Sequence, residues 1–177
     1  MDKAKITAVC GMMSALSVVL MLVSTVLPVL MYVLPIVTSI LVLFVIQFSD
    51  KKWAFGVYLS TAVLSMILLT DKETALTYTM FFGYYPLIKD TIQKLPLVIS
   101  WLVKFAIFNA AAVGISLLGI WIFGVSAEEY NEFGKYTIPI LLGLANVAFI
   151  FYDIAIMTNI RVLKALALKL RKNLRIR

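Results

Sequence analysis

Two ionisable residues stand inside long uncharged stretches, and they are the first place to look for chemistry: Lys104 in the apolar run 96–123 and Asp153 in the apolar run 137–160. Charges inside runs of this length are rare and serve as site hypotheses by default. At 1.5 Å per residue, both lie about 10–12 Å in from the same boundary. Opposite signs at one depth predict an ion pair between antiparallel neighbours, since either charge alone in hydrocarbon costs several kcal/mol or is neutralised. Three roles are open to these residues: fixing two helices, relaying a proton or cation, or a snorkelling Lys104 with Asp153 reaching water separately. Asn109 and Asn146, a turn or two further outward, are expected to hydrogen-bond between the same helices for about 0.6–2 kcal/mol.

Other chemistry lacks its residues. The 177 residues include no His and one Cys, which removes zinc ligand sets, Cys–His nucleophile pairs, haem ligation and any internal disulfide. No metal and no cofactor are expected. Intramembrane hydrolysis needs paired acids, His clusters or a Ser–Lys arrangement, and only Lys104 and Asp153 lie deep. No Gly-x-x-x-x-Gly-Lys-Ser/Thr loop is present, so any pumping energy must come from another chain or an ion gradient. The expectation is a protein that is not an enzyme.

The elements that must position these residues follow from composition. Hydrophobic residues make up 63% and charged residues 14%, against about 45–50% and about 25% in soluble domains. Such a chain suits lipid as its solvent. Apolar runs separated by short charged punctuation predict an all-α polytopic integral membrane protein, with six transmembrane helices in one bundle and a single domain over 1–177. The expected spans are 6–27, 33–48, 53–70, 74–88, 96–123 and 137–160. Pro28 and Pro35 offer places to turn in the first uncharged run, and Lys89-Asp90-Thr91-Ile92-Gln93-Lys94 reads as a polar turn after span four. No signal peptide is expected, because the first apolar run is too long for an h-region.

The positive-inside rule then orients the bundle. With the N-terminus inside, thirteen of the sixteen Lys and Arg residues fall in cytoplasmic segments: Lys3, Lys5, Lys51, Lys52, Lys89, Lys94 and seven from Arg161 to Arg177. The outer loops hold Lys72 and Lys135 with Asp71, Glu73, Glu128, Glu129 and Glu132. A multi-pass cell-membrane protein with both termini cytoplasmic is expected. The formal net charge of +7 therefore gathers at a membrane edge and implies no nucleic acid. In the tail 161–177, Leu163, Leu166, Ala167, Leu170 and Leu174 share one helical face and Arg161, Lys164, Arg171, Lys172 and Arg175 the other. This basic amphipathic segment is expected to lie on an anionic inner leaflet, with docking to a cytoplasmic protein as the alternative.

Small residues recur every four positions at Thr7, Gly11 and Ala15 and at Ala106, Ala110 and Gly114. Such rows let helices approach closely. The second row is expected to pack within the chain, while the first is free to meet a partner. Tyr78, Phe81, Phe82 and Tyr85 form an aromatic stripe that reads as packing or, alternatively, as a wall for a planar ligand. If a cavity exists at the outer helix ends, Tyr32, Thr74, Tyr78, Trp121, Tyr130 and Asn131 are the candidates to line it.

Six spans, both ends inside and the first-helix face Gly11-Met-Met-Ser-Ala15 resemble the substrate-binding S component of energy-coupling factor (ECF) vitamin transporters. That resemblance implies a vitamin-like small molecule bound near the outer face. It also implies docking of an Ala-x-x-x-Ala face, here Gly11 and Ala15 with Gly in place of the first Ala, onto a transmembrane coupling subunit driven by ATPases. The stretches Phe81-Phe-Gly-Tyr-Tyr-Pro-Leu-Ile-Lys89 and Lys104-Phe-Ala-Ile-Phe-Asn109 are also similar to small, uncharacterised membrane proteins of Gram-positive bacteria. The alternative is a structural or regulatory membrane protein with no ligand, which predicts a filled bundle without an outward cavity.

Overall fold

A computed structural model describes residues 3–123 and 137–174. Among them every regular element is helical: α1 (Lys3–Leu22), α2 (Val33–Phe48), α3 (Lys51–Leu68), α4 (Lys72–Thr77), a π-helical segment (Tyr78–Phe82), α5 (Tyr85–Ile92), α6 (Leu97–Phe123) and α7 (Thr137–Asn173). Two 3₁₀ turns, Val23–Thr25 and Pro28–Leu30, join α1 to α2. Three stretches are long and apolar enough to cross a membrane, Lys3–Thr25, Leu97–Gly119 and Pro139–Asn173, and Val33–Phe48 is a shorter apolar helix. Membrane localisation is consistent with these helices.

The helix starts follow from local chemistry. Asp50 caps α3 by accepting from the backbone N–H groups of Lys52 and Trp53, and Asp71 caps α4 through those of Glu73 and Thr74. Both caps satisfy amides that the helix itself leaves unpaired. Pro35 sits in the first turn of α2, where its missing N–H costs nothing. Hydroxyls in the apolar helices turn back onto their own backbone: Ser17 donates to the Met13 carbonyl, Thr38 to Pro35, Ser39 to Ile36 and Ser65 to Ala62. That leaves few polar atoms to satisfy where no water is at hand.

Helix α2 is the central element, touching α1, α3, α7, α5 and the π-helical segment. The core around it includes Ile6, Met21, Val42, Leu43, Val45, Phe48, Ala54 and Val57, all buried. Elsewhere the bundle is apolar on its outside, as Leu97, Val98 and Leu102 on α6 illustrate. An apolar exterior is what a lipid solvent asks for.

Four expectations need correction. The stretch 74–88 is not one plain helix, because α4 passes into the π-helical segment, where the Gly83 N–H reaches back five residues to the Tyr78 carbonyl. The expected polar turn after it is instead the end of α5, with Lys89 fully buried. The basic tail is not a separate surface helix, since α7 runs unbroken through 37 residues to Asn173. Ala167 is buried, Leu163, Leu170 and Leu174 pack against the chain's own core, and the Lys5 ammonium donates to the Leu174 carbonyl at 3.0 Å. Lastly, Ala106 and Ala110 are exposed rather than packed. The inward face of α6 carries Ser100, Lys104 and Ala111 instead, and of the expected row only Gly114 approaches another element, at Met80.

Candidate functional site: a buried charge cluster, an open helix seam and a cleft among the turns

Helices α6 and α7 are joined by two polar links. The Lys104 ammonium lies 2.7 Å from Asp153 Oδ2. Five residues on along α6 and seven back along α7, Asn109 and Asn146 exchange two amide hydrogen bonds, each 3.0 Å. Partners that advance on one helix while receding on the other are what an antiparallel pair produces, here joined at both ends of about one and a half turns.

Asp153 has more partners than Lys104. Lys89, from the last turn of α5, places its ammonium 2.9 Å from Asp153 Oδ1 and 2.7 Å from the Asp153 backbone carbonyl. The Tyr85 hydroxyl donates to the same Oδ1 at 2.5 Å. The Lys104 ammonium also lies 4.8 Å from the centre of the Trp101 ring, a cation–π contact. One carboxylate thus ties α5, α6 and α7 together. The side chains of Lys89 and Asp153 are 0% exposed and that of Lys104 3%. Reading Lys89 as part of a polar turn hid this, although Tyr85 and Lys89 are spaced i, i+4 and so share a helical face.

Above this cluster the interior is filled with rings. Phe81 contacts Phe82, Tyr85, Phe108, Phe149 and Tyr152, with centroids 5.0–6.1 Å away. Tyr152 in turn donates its hydroxyl to Ser39 of α2. The aromatic stripe therefore packs the bundle, and Tyr78 is wholly buried within it.

The candidate cavity residues do not come together. Tyr130 and Asn131 lie outside the described residues. Trp121 is 86% exposed on the outside of α6, and Tyr78 is sealed in the core. Tyr32 and Thr74 alone share a neighbourhood: Tyr32 donates to Glu73 at 2.7 Å, and Thr74 donates to the Met31 carbonyl and to Asp71. Beside them opens a cleft of about 330 Å³ lined by Ser24, Thr25, Met31, Thr70 and Asp71. None of its lining residues stood out in the sequence, because each sits in a turn whose closure brings distant residues together. Among the described residues no group of three His, Cys, Asp or Glu could hold a metal ion.

Gly11 and Ala15 are exposed on α1. Where α1 meets α3, Ser14 Oγ lies 2.5 Å from Ser60 Oγ and 3.1 Å from Thr61 Oγ1. Gly11 precedes Ser14 by one turn, and Gly56, also exposed, precedes Ser60 by one turn. A Cβ added at either glycine would meet no atom within 4 Å. Helix α2 packs against both α1 and α3, and the two glycines are exposed, one turn from the serines that join α1 to α3. Gly56 is the half of this feature that the four-residue rows did not reveal.

Comparison with protein families, with curated proteins and with solved structures gives no match to this chain.

Proposed function

We propose that the chain is a substrate-binding membrane subunit of the energy-coupling-factor type, which presents a small-molecule site outward and docks a helix of a transmembrane coupling protein along the α1–α3 seam. The observation that carries this reading is the pair Gly11 and Gly56. Two open glycines near one seam, with Ala15 a turn further along α1, leave backbone uncovered by side chains. In lipid, association depends on close backbone approach, which such uncovered backbone permits. The cleft lined by Ser24, Thr25, Met31, Thr70 and Asp71 offers a small molecule both hydroxyls and a carboxylate.

In this reading the bundle has six spans, formed by α1, α2, α3, the α4–π–α5 segment, α6 and α7. Both ends lie in the cytoplasm, where the basic residues from Arg161 onward meet an anionic inner leaflet. The subunit performs no catalysis, and ATPases bound to the coupling protein supply the energy.

Mild detergent extraction followed by co-purification tests the proposal. A coupling subunit and ATPases should accompany the wild-type chain and be lost from Gly11→Leu combined with Ala15→Leu, and again from Gly56→Leu, while each variant remains folded and monodisperse. A wild-type chain that always purifies alone, or variants that keep the complex, would refute it. A second reading, a ligand-free structural or regulatory membrane protein, draws on the ring-filled interior around Phe81; isolation without partner or bound molecule favours it.

A further inference from the structure

The cluster on Asp153 holds two ammonium groups against one carboxylate, and all three side chains are sealed from solvent. Fully charged, it carries one positive charge in excess. An uncompensated charge in a low-dielectric interior is costly, whereas a neutral, fully hydrogen-bonded set is not.

The groups facing the cluster are few. From α5 comes Tyr85, from α6 the Trp101 ring, from α7 Tyr152, whose hydroxyl is committed to Ser39 of α2. Asp153 has no oxygen to spare: Oδ1 receives Tyr85 and Lys89, and Oδ2 receives Lys104. Asp90 is the neighbouring acid, and it points the other way, 3.6 Å from Lys51 of α3 at a site where both side chains are 45% exposed.

We propose that Lys89, Lys104 and Asp153 form a binding site for one exchangeable proton. In the step, an N–H bond of the Lys89 ammonium breaks and its electron pair stays on Nζ. The proton passes to water. The cluster changes from one excess positive charge to none, and Lys104 keeps its pairing with Asp153 in both forms. Tyr85 holds Oδ1 in place throughout. The site is a shared one: the excess exists only because two lysines face one acid, so removing either lysine leaves a neutral pair with nothing to release.

Nitrogen-15 NMR of lysine-labelled protein in nanodiscs of phosphatidylcholine and phosphatidylglycerol, followed from about pH 5 to about pH 10, reads the side-chain protonation directly. In the wild-type protein one buried lysine should convert between ammonium and amine. In Lys89→Met the remaining Lys104 should stay an ammonium throughout, and in Lys104→Met so should Lys89. Two wild-type lysines that remain ammonium over the whole range overturn the proposal, and that measurement needs no variant to fold. A conversion that persists in either single variant shows a lysine titrating alone and overturns the shared site.

Discussion

Asn109 and Asn146 face one another across α6 and α7 and exchange two amide hydrogen bonds at 3.0 Å. Each amide nitrogen also donates to its own helix, Asn109 to the Phe105 carbonyl and Asn146 to the Leu142 carbonyl. The pair thus spends both hydrogens of both amides, which fixes the rotation of the two helices as well as their separation.

Replacing Asn109 by Leu should therefore cost about 0.6–2 kcal/mol, as should Asn146→Leu. Because each change strands the other's amide, the double variant should cost less than the sum of the two. Thermal unfolding of the four proteins in one detergent gives the comparison, and strict additivity would mean that the amides do not meet.

Asp153→Asn should be the most damaging change in the charge cluster. It leaves two buried ammoniums with no carboxylate, the situation in which breaking a buried pair costs about 3–5 kcal/mol. Lys89→Met or Lys104→Met leaves a matched pair and should cost less than Asp153→Asn. Unfolding midpoints in detergent should rank the three variants in that order, and a milder Asp153→Asn would contradict the arrangement.

Gly83→Ala should be costly where Gly11→Ala is not. A Cβ at Gly83 would sit 2.5 Å from the Tyr58 ring and 2.8 Å from that of Tyr78, whereas none would be met at Gly11. Tyr58 is held in turn by its hydroxyl, which donates to the Thr79 carbonyl at 3.0 Å. Overpacking of this kind costs about 1–3 kcal/mol. Tyr58→Ala should recover part of the loss, an outcome that unfolding of the double variant would reveal.

Cysteine labelling in intact cells, with Cys10→Ser as background, checks the orientation proposed above. Val29→Cys, at a residue 90% exposed in the turn between α1 and α2, should react with an impermeant reagent from outside. Lys94→Cys, beyond the end of α5, should react after permeabilisation alone. The opposite pattern would invert the topology.

The ion pair and the amide pair are legible from the chain because depth is a count: at 1.5 Å per residue, Lys104 and Asp153 fall at one level, and Asn109 with Asn146 at the next. Counting fails where the helical phase changes. The π-helical turn at Tyr78–Phe82 carries one residue more per hydrogen-bonded ring than an α-helix, and no residue type announces it. Downstream of it, Lys89 looks like part of a solvated string with Asp90 and Lys94, and a tertiary partner decides otherwise. The row Ala106, Ala110 and Gly114 fails for a different reason: spacing defines a face but not which neighbour receives it, and α7 receives the face bearing Lys104. The cleft beside Thr70 and Asp71 is built from turns, whose closure leaves no periodic trace.

The unbroken length of α7 has a mechanical consequence. Its 37 residues span about 55 Å, and Asp153, gripped from two other helices, divides the rod into two arms. From that point to Asn173 one arm is about 30 Å long at a 1.5 Å rise per residue, and it is seated against the core through Leu163, Ala167 and Leu170. Since Lys5 is bonded to the backbone at Leu174, the start of α1 is fastened to the far end of that arm. The rod therefore works as a strut, tied to α5 and α6 at Asp153 and to α1 at its end.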